Sequence, residues 1–326
     1  MKNILSLVLL LLIVSCKSEP KIESIIITSN EVKEIVSYLA SDDLRGRHAG
    51  TTEIDKAATY IESQFETLGI KPYFETYRDN FKIKDSINAF NVVGFIEGTD
   101  ETLKNEVIIL GAHYDHIGYG NDARRKSSKG SITETDTIAN GANDNAAGTS
   151  AVIAMAKYFA TMKNNKRSIM FTLFSAEELG LLGSKHLAKR LKSQNLNLYT
   201  MVNFEMIGVP FKDRDYQAFL SGYDLSNMAQ KINEYVGSNL IGSSEVAKKY
   251  NLFKQSDNYP FYEEFKLPCQ TISSCDLSNY DYYHHADDEI NELNYEFMAS
   301  LINETIKGIE QMSISETKEI MMYESE

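Results

Sequence analysis

The stretch "TTEIDKAATYIESQFETLGI" places apolar side chains at Ile54, Ala57, Ala58, Ile61, Phe65 and Leu68. That three-and-four spacing gathers them on one face of a helix. Thr51 or Thr52 offers the N-terminal cap, and Gly69 is the expected stop. A shorter helix through Ala40 is predicted upstream, capped by Ser29 or Asn30. Residues 73–83 read as extended edge structure, and "AFNVVGFIEG" as a strand ending at a glycine turn. From there the pattern alternates. "EVIILGA", "RSIMFTLFSA" and "YTMVNFEMIG" are apolar runs of strand length, and between them "NAAGTSAVIAMAKYFATM" and "GSKHLAKRLK" have helical spacing. Helix-like "SNMAQKINEYV", a loop to "YPFYEEF", the short strand "CQTISS" and a final helix from about Tyr295 to Met312 complete the order. Apolar strands alternating with helices predict an α/β domain with a largely parallel central sheet. No linker interrupts residues 30–312, which reads as one domain, and the last dozen residues, "SETKEIMMYESE", are expected to fray.

The chain has 326 residues, 43% hydrophobic and 24% charged, enough for a sizeable core. The N-terminus departs from this average. The apolar run Ile4 to Val14 follows Lys2 and is too short to span a bilayer, but it suits a secretory signal. Ser15 directly before Cys16 resembles the bacterial lipoprotein signal. The expectation is removal of residues 1–15, lipidation at Cys16, and a polar tether over residues 16–29. The molecule would then face the periplasm or the exterior of the cell envelope, held to a membrane by its lipid. Net charge is −13, and losing Lys2 makes it −14; such acidity argues against nucleic acid or an anionic membrane surface as the main partner. Cys269 and Cys275 remain at either end of a strand-like run. They are suited equally to a disulfide in an oxidising compartment and to two buried thiols.

In an open α/β sheet, ligands bind beyond the carboxyl ends of the strands. "EVIILGA" ends in His113, with Asp115 two residues on; "SIMFTLFSA" ends in Glu177 and Glu178; "TMVNF" ends in Glu205; "QTISS" leads through a loop to "YYHHADDE". "GANDNAAG" opens a helix and presents Asp144 at its N-terminal end. Five segments thus bring His, Asp or Glu to one edge of the sheet. Imidazole and carboxylate are zinc donors, and two metals close together need a bridging carboxylate with separate terminal ligands. Asp144 suits the bridge. Glu177 and Glu178, adjacent on extended backbone, point different ways, so one can bind metal while the other acts as a base.

The stretches "HYD", "GANDNAAG", "FSAEELGLLGS", "NFEMIG" and "YHHADD" resemble, in order, the motifs of M28 zinc metallopeptidases. "LRGRHAGT", "FNVVGFIEG" and "SDNYPFYEEFKLP" extend the resemblance over roughly residues 40–310. It implies a three-layer αβα phosphorylase/aminopeptidase-like fold with two zinc ions. It further implies His113 and Glu205 on one zinc, Glu178 and His284 on the other, and Asp144 bridging both. Glu177 would be the general acid/base, and Asp115 would orient His113. The family usually has aspartate where this chain has Glu205. His284 is chosen over His285 because it lies four residues before Asp288, as in the family.

The remaining polar residues carry plainer expectations. His116 opens the loop after His113 and is expected at the rim, His48 and His186 at the surface or in packing, and "DARRKSSKG" as a solvated loop. The function implied is an exopeptidase, most simply an aminopeptidase acting on peptides. The alternatives are a glutaminyl-cyclase-like acyltransferase with one zinc and a binding lipoprotein without catalysis.

Overall fold

The strand Val107–His113 is buried at all seven positions, because it runs through the middle of a sheet covered on both faces. The fold, a computed structural model, describes residues 25–84 and 86–324. The expected signal segment and the expected lipidation site Cys16 lie outside them. Nine strands form one mixed sheet: β1 (Lys71–Pro72), β2 (Arg78–Ile83), β3 (Ile87–Ile96), β4 (Val107–His113), β5 (Ser168–Phe174), β6 (Leu198–Phe204), β7 (Ala218–Leu220), β8 (Ile241–Gly242) and β9 (Cys269–Ser273). Their order is β1-β3-β5-β4-β6-β9-β7-β8, with β2 also paired to β3. The middle four, β5, β4, β6 and β9, are mutually parallel, and antiparallel strands flank them. Parallel register brings His113 beside Phe174 and Gly111 beside Asn203, so the segments following these strands leave the sheet at one edge.

Alternation along β4 assigns the two faces. Ile108, Leu110 and Ala112 join the larger core with α1 (Ser29–Leu39), α2 (Thr52–Thr67), α3 (Gly148–Met162), α5 (Met228–Val236) and α7 (Tyr295–Ile314). Val107 and Ile109 face the other way, onto Leu187, Ala188 and Leu191 of α4 (Leu182–Ser193) and Phe261 of α6 (Asn258–Phe265). This is the three-layer αβα arrangement. The α2 helix has the expected buried face, with Thr51 capping it through Ile54 N–H.

Several boundaries differ from the sequence reading. The first helix is capped by Thr28, not Ser29 or Asn30: Glu31 N–H donates to the Thr28 hydroxyl, and Glu31 accepts from Thr28 N–H. Ile27, assigned to the tether, is buried, and Asn303 clasps its backbone N–H and C=O. The C-terminal dozen does not fray over its described part. Ile320 is buried, Met322 makes a β-bridge to Ser226, and Met321 N–H donates to Asn227. The apolar anchor in that tail is one side chain deep, too little to give a periodic signal. "DARRKSSKG" is not an open loop, since Gly120–Lys126 is helical and Lys126 donates to the Glu178 carbonyl. The very short β7 and β8 left no readable period. Cys269 and Cys275 are free and buried, and burial pushes the Cys275 thiol up to about 12.

Candidate metal centre

His113 ends β4, Glu177 and Glu178 follow β5, Glu205 follows β6, and His284 lies in the loop after β9. Asp144 is not on a regular helix: α3 starts at Gly148, and residues 142–147 form an irregular turn in which Asp144 has φ −107° and ψ 90°. Side-chain hydrogen bonds hold this turn. Asp288 accepts from Asn143 N–H at 2.7 Å and Asp144 N–H at 3.0 Å, and Tyr280 O–H donates to the same carboxylate at 2.6 Å. Asn145 accepts from the backbone N–H groups of Gly148 and Met206 and donates to the Phe204 carbonyl. The turn carrying Asp144 is thereby fastened to the strand end carrying Glu205.

The two carboxylate oxygens of Asp144 face different partners. Oδ1 lies 3.3 Å from His113 Nε2, which is 3.0 Å from Glu205 Oε1. Oδ2 lies 3.4 Å from His284 Nε2, which is 3.1 Å from Glu178 Oε1. A tetrahedral zinc with bonds near 2.0–2.1 Å requires its donors to stand about 3.3 Å apart. All four separations meet that requirement, so the residues present fit a pair of metal ions sharing Asp144. Glutamate at position 205 reaches donor distance without difficulty. Its other oxygen accepts from Ser256 O–H at 2.7 Å, and Asn203 in turn donates to that hydroxyl.

Two expectations require correction. Asp115 does hold His113, but His113 Nδ1–H donates to the Asp115 main-chain carbonyl at 3.1 Å. The Asp115 carboxylate stands 3.8 Å from that nitrogen and accepts from Glu177 N–H at 3.1 Å. A side chain two residues past a strand end turns outward from the strand axis, and here it meets the segment after β5. His116 is not a rim residue: it is fully buried, with Nδ1 3.2 Å from Glu178 Oε1. The peptide doubles back after Asp115, which returns the ring to the site. His186 stays in packing as expected, stacked on Phe81, and His285 makes only a local contact with Asp287.

Arg47 carries more than its motif disclosed. Its guanidinium is fully buried and donates to four carbonyls, those of Leu39, Tyr114, Asn140 and Gly141. It therefore joins the first helix, the His113 loop and the Asp144 turn. Burial lowers its pKa to about 10, opposed by Asp288, Asp115, Asp144 and Glu178, so it remains charged at neutral pH. Asp257 was also missed; its carboxyl is buried with no hydrogen-bond partner for either oxygen, and burial raises it to about 7. Glu177 makes no donor-distance contact with a histidine. Burial pushes its carboxyl well above the ordinary range, and the Glu178, Asp257 and Glu205 carboxylates add to the rise against His113. Cations bound to its neighbours would oppose that rise.

Gly141 is required where it stands. Its φ is +59°, and a Cβ there would lie 2.3 Å from the Asp144 carbonyl oxygen and 2.5 Å from His116 Cγ. Gly141→Ala is expected to displace that turn, costing about 2 kcal/mol or more from left-handed strain plus overpacking. Thermal unfolding and metal content would both report it; an unchanged midpoint with full metal would contradict the packing described.

The site opens into a cavity whose apolar part is lined by Met206, Phe219, Leu252 and Leu277 and whose polar part includes Ser221, Gln255, Thr271 and Ser273. The fold is shared with solved aminopeptidases and glutaminyl cyclases. The glutaminyl cyclase of Porphyromonas gingivalis superposes with a TM-score of 0.67 at 14% identity, covering 88% of this chain and 99% of that one. A probable zinc metalloprotease of Pyrenophora teres f. teres is 26% identical over 208 residues, 56% of this chain and 42% of the relative. Leucine aminopeptidase 2 of Trichophyton rubrum is 27% identical over 183 residues, 55% of this chain and 32% of the relative. The chain thus spans less than half the length of these curated relatives. The model of peptidase family M28 matches residues 91–307, a span that contains His113, Asp144, Glu177, Glu178, Glu205 and His284, and the chain belongs to that family of zinc metallopeptidases.

Proposed function

We propose that the protein is a two-zinc aminopeptidase. The observation that carries this reading is Asp144, whose two oxygens each face a separate donor set, with the uncommitted carboxyl of Glu177 beside them. His113, Asp144 and Glu205 would hold one zinc, and Asp144, Glu178 and His284 the other. Zinc bound there supplies Lewis acidity toward the scissile carbonyl and lowers the pKa of water to near neutral. Glu177 then takes a proton from the attacking water. As the C–N bond breaks, it passes that proton to the departing nitrogen, leaving a carboxylic acid and a free amine. Its backbone N–H, held by Asp115, fixes where that carboxyl stands, and Ser256 fixes Glu205.

The resemblance to a leucine aminopeptidase and the Met206, Phe219, Leu252 and Leu277 side chains on one part of the cavity support an aliphatic residue at the peptide's N-terminus. Excess carboxylate around the cavity suits its ammonium group. The apolar Ile4–Val14 run before Cys16 supports a lipid-anchored location in the cell envelope. The test is a set of leucyl peptides, free, N-acetylated and C-amidated, and a glutaminyl peptide, given to metal-quantified protein. Free-amine and C-amidated peptides should be cut, and N-acetylation should reduce kcat/KM on the order of 100-fold or more. Equal cleavage of the blocked peptide would reject the aminopeptidase reading. Cyclisation of the glutaminyl peptide by protein holding one zinc would favour the acyltransferase that shares this fold.

A further inference from the structure

His116 is the one buried imidazole whose two nitrogens both lack a hydrogen-bond partner among the described residues. Such a group costs stability unless something satisfies it. Its Nδ1 lies 3.2 Å from Glu178 Oε1 and 3.8 Å from Asp144 Oδ2, yet it is aligned for a hydrogen bond with neither. Glu178 Oε1 likewise has no hydrogen-bond partner. Groups this close that do not pair are aimed at a common point between them. The His284 ring meets the His116 ring edge-on, with centroids 5.8 Å apart and planes at 73°. His284 Nε2 closes on the same two carboxylates at 3.4 and 3.1 Å. Gly141 leaves the room for the ring, since a Cβ there would strike His116 Cγ and Cδ2.

We infer that His116 is a fourth protein donor to the metal position formed by Asp144, Glu178 and His284. The inference rests on the reading that these residues hold metal, and it makes the two positions unequal. His116 stands with Asp144 and Glu178 in a group whose donor atoms all lie within 4.8 Å of one another, and with His284 it would give the second position two imidazole and two carboxylate donors, as in a closed structural site. The first position has three protein donors, His113, Asp144 and Glu205, and keeps a place for substrate or water. Metal at the second position is then retained while metal at the first exchanges.

The test removes the donor and keeps the ring. Zinc-loaded wild type, His116→Phe and His116→Ala would be titrated with a chelator, with bound zinc counted by mass spectrometry. Wild type should give up one zinc well before the other. Both variants should hold the retained zinc about tenfold or more weakly, and added imidazole should restore retention in His116→Ala. The cobalt-substituted wild type should show the strong visible absorption of four-coordinate cobalt, altered in both variants. Unchanged retention and an unchanged cobalt spectrum in folded variants would overturn the assignment. These readouts do not involve turnover: a protein that binds two zinc ions unequally but cuts no peptide would refute the proposed activity and leave this inference standing.

Discussion

Glu177→Gln should retain its bound metal and lose peptidase turnover by on the order of 10²–10⁴-fold, the usual contribution of a general acid/base. The substitution keeps the side chain's length and volume but removes the group that accepts a proton. Its backbone N–H still reaches Asp115, so the neighbouring loops have no reason to move. Glu178, one residue on, gives the contrast. Burial and Asp144 push its carboxyl up, but His116 and His284 bring it down to about 2, so it is held as an anion suited to binding a cation. Glu178→Gln should therefore lower metal affinity, whereas Glu177→Gln should not. Metal analysis beside steady-state kinetics separates the two, and near-normal turnover in Glu177→Gln would rule out its role as base.

The largest effect on stability is expected at Arg47. Arg47→Met fills a similar volume but leaves the carbonyls of Leu39, Tyr114, Asn140 and Gly141 without their donor. It also removes a buried positive charge that faces Asp288, Asp115, Asp144 and Glu178. Breaking a buried charged network of this kind costs about 3–5 kcal/mol, a large fraction of a typical domain's stability. Denaturant unfolding of metal-free protein would measure it without interference from bound zinc. Arg47→Lys should recover only part of the loss, because an ammonium cannot span four carbonyls with the planar fork of a guanidinium. A cost under about 1 kcal/mol for Arg47→Met would mean water reaches those carbonyls.

How far the sequence disclosed this site depended on where each residue stood relative to a strand. His113, Glu177, Glu178 and Glu205 were legible because each follows an apolar run, and the end of a parallel strand is where an α/β fold presents side chains. Asp144 was legible as a carboxylate of the site, although it stands in an irregular turn rather than at the N-terminal end of the helix, which starts at Gly148. His116 was misplaced because periodicity stops at the strand end. Nothing in "DHIG" shows that the chain folds back and returns the imidazole to the metal donors. Arg47 was invisible for a related reason. Its partners are four backbone carbonyls, which have no residue type to recognise, and they come from three separate places in the chain. Asp288 served only as a spacing mark for His284, while its work is to hold the amides of Asn143 and Asp144. Alternating apolar strands and helices disclosed the largely parallel α/β sheet, while its three layers were implied only by the resemblance; the two-residue and three-residue strands were not legible, because they are shorter than any period.

If Cys16 carries a lipid, the clasp of Asn303 on Ile27 would set the reach of the body from the membrane. Ile27, held by Asn303, lies eleven residues after Cys16. With a lipid on Cys16, those residues at full extension span about 40 Å. The body would then patrol a shell over the bilayer no thicker than a few protein layers, and would meet peptides as they arrive at that surface rather than in the bulk. Lengthening this stretch with a glycine-serine insert after Ser18 would enlarge that shell without touching a single catalytic group.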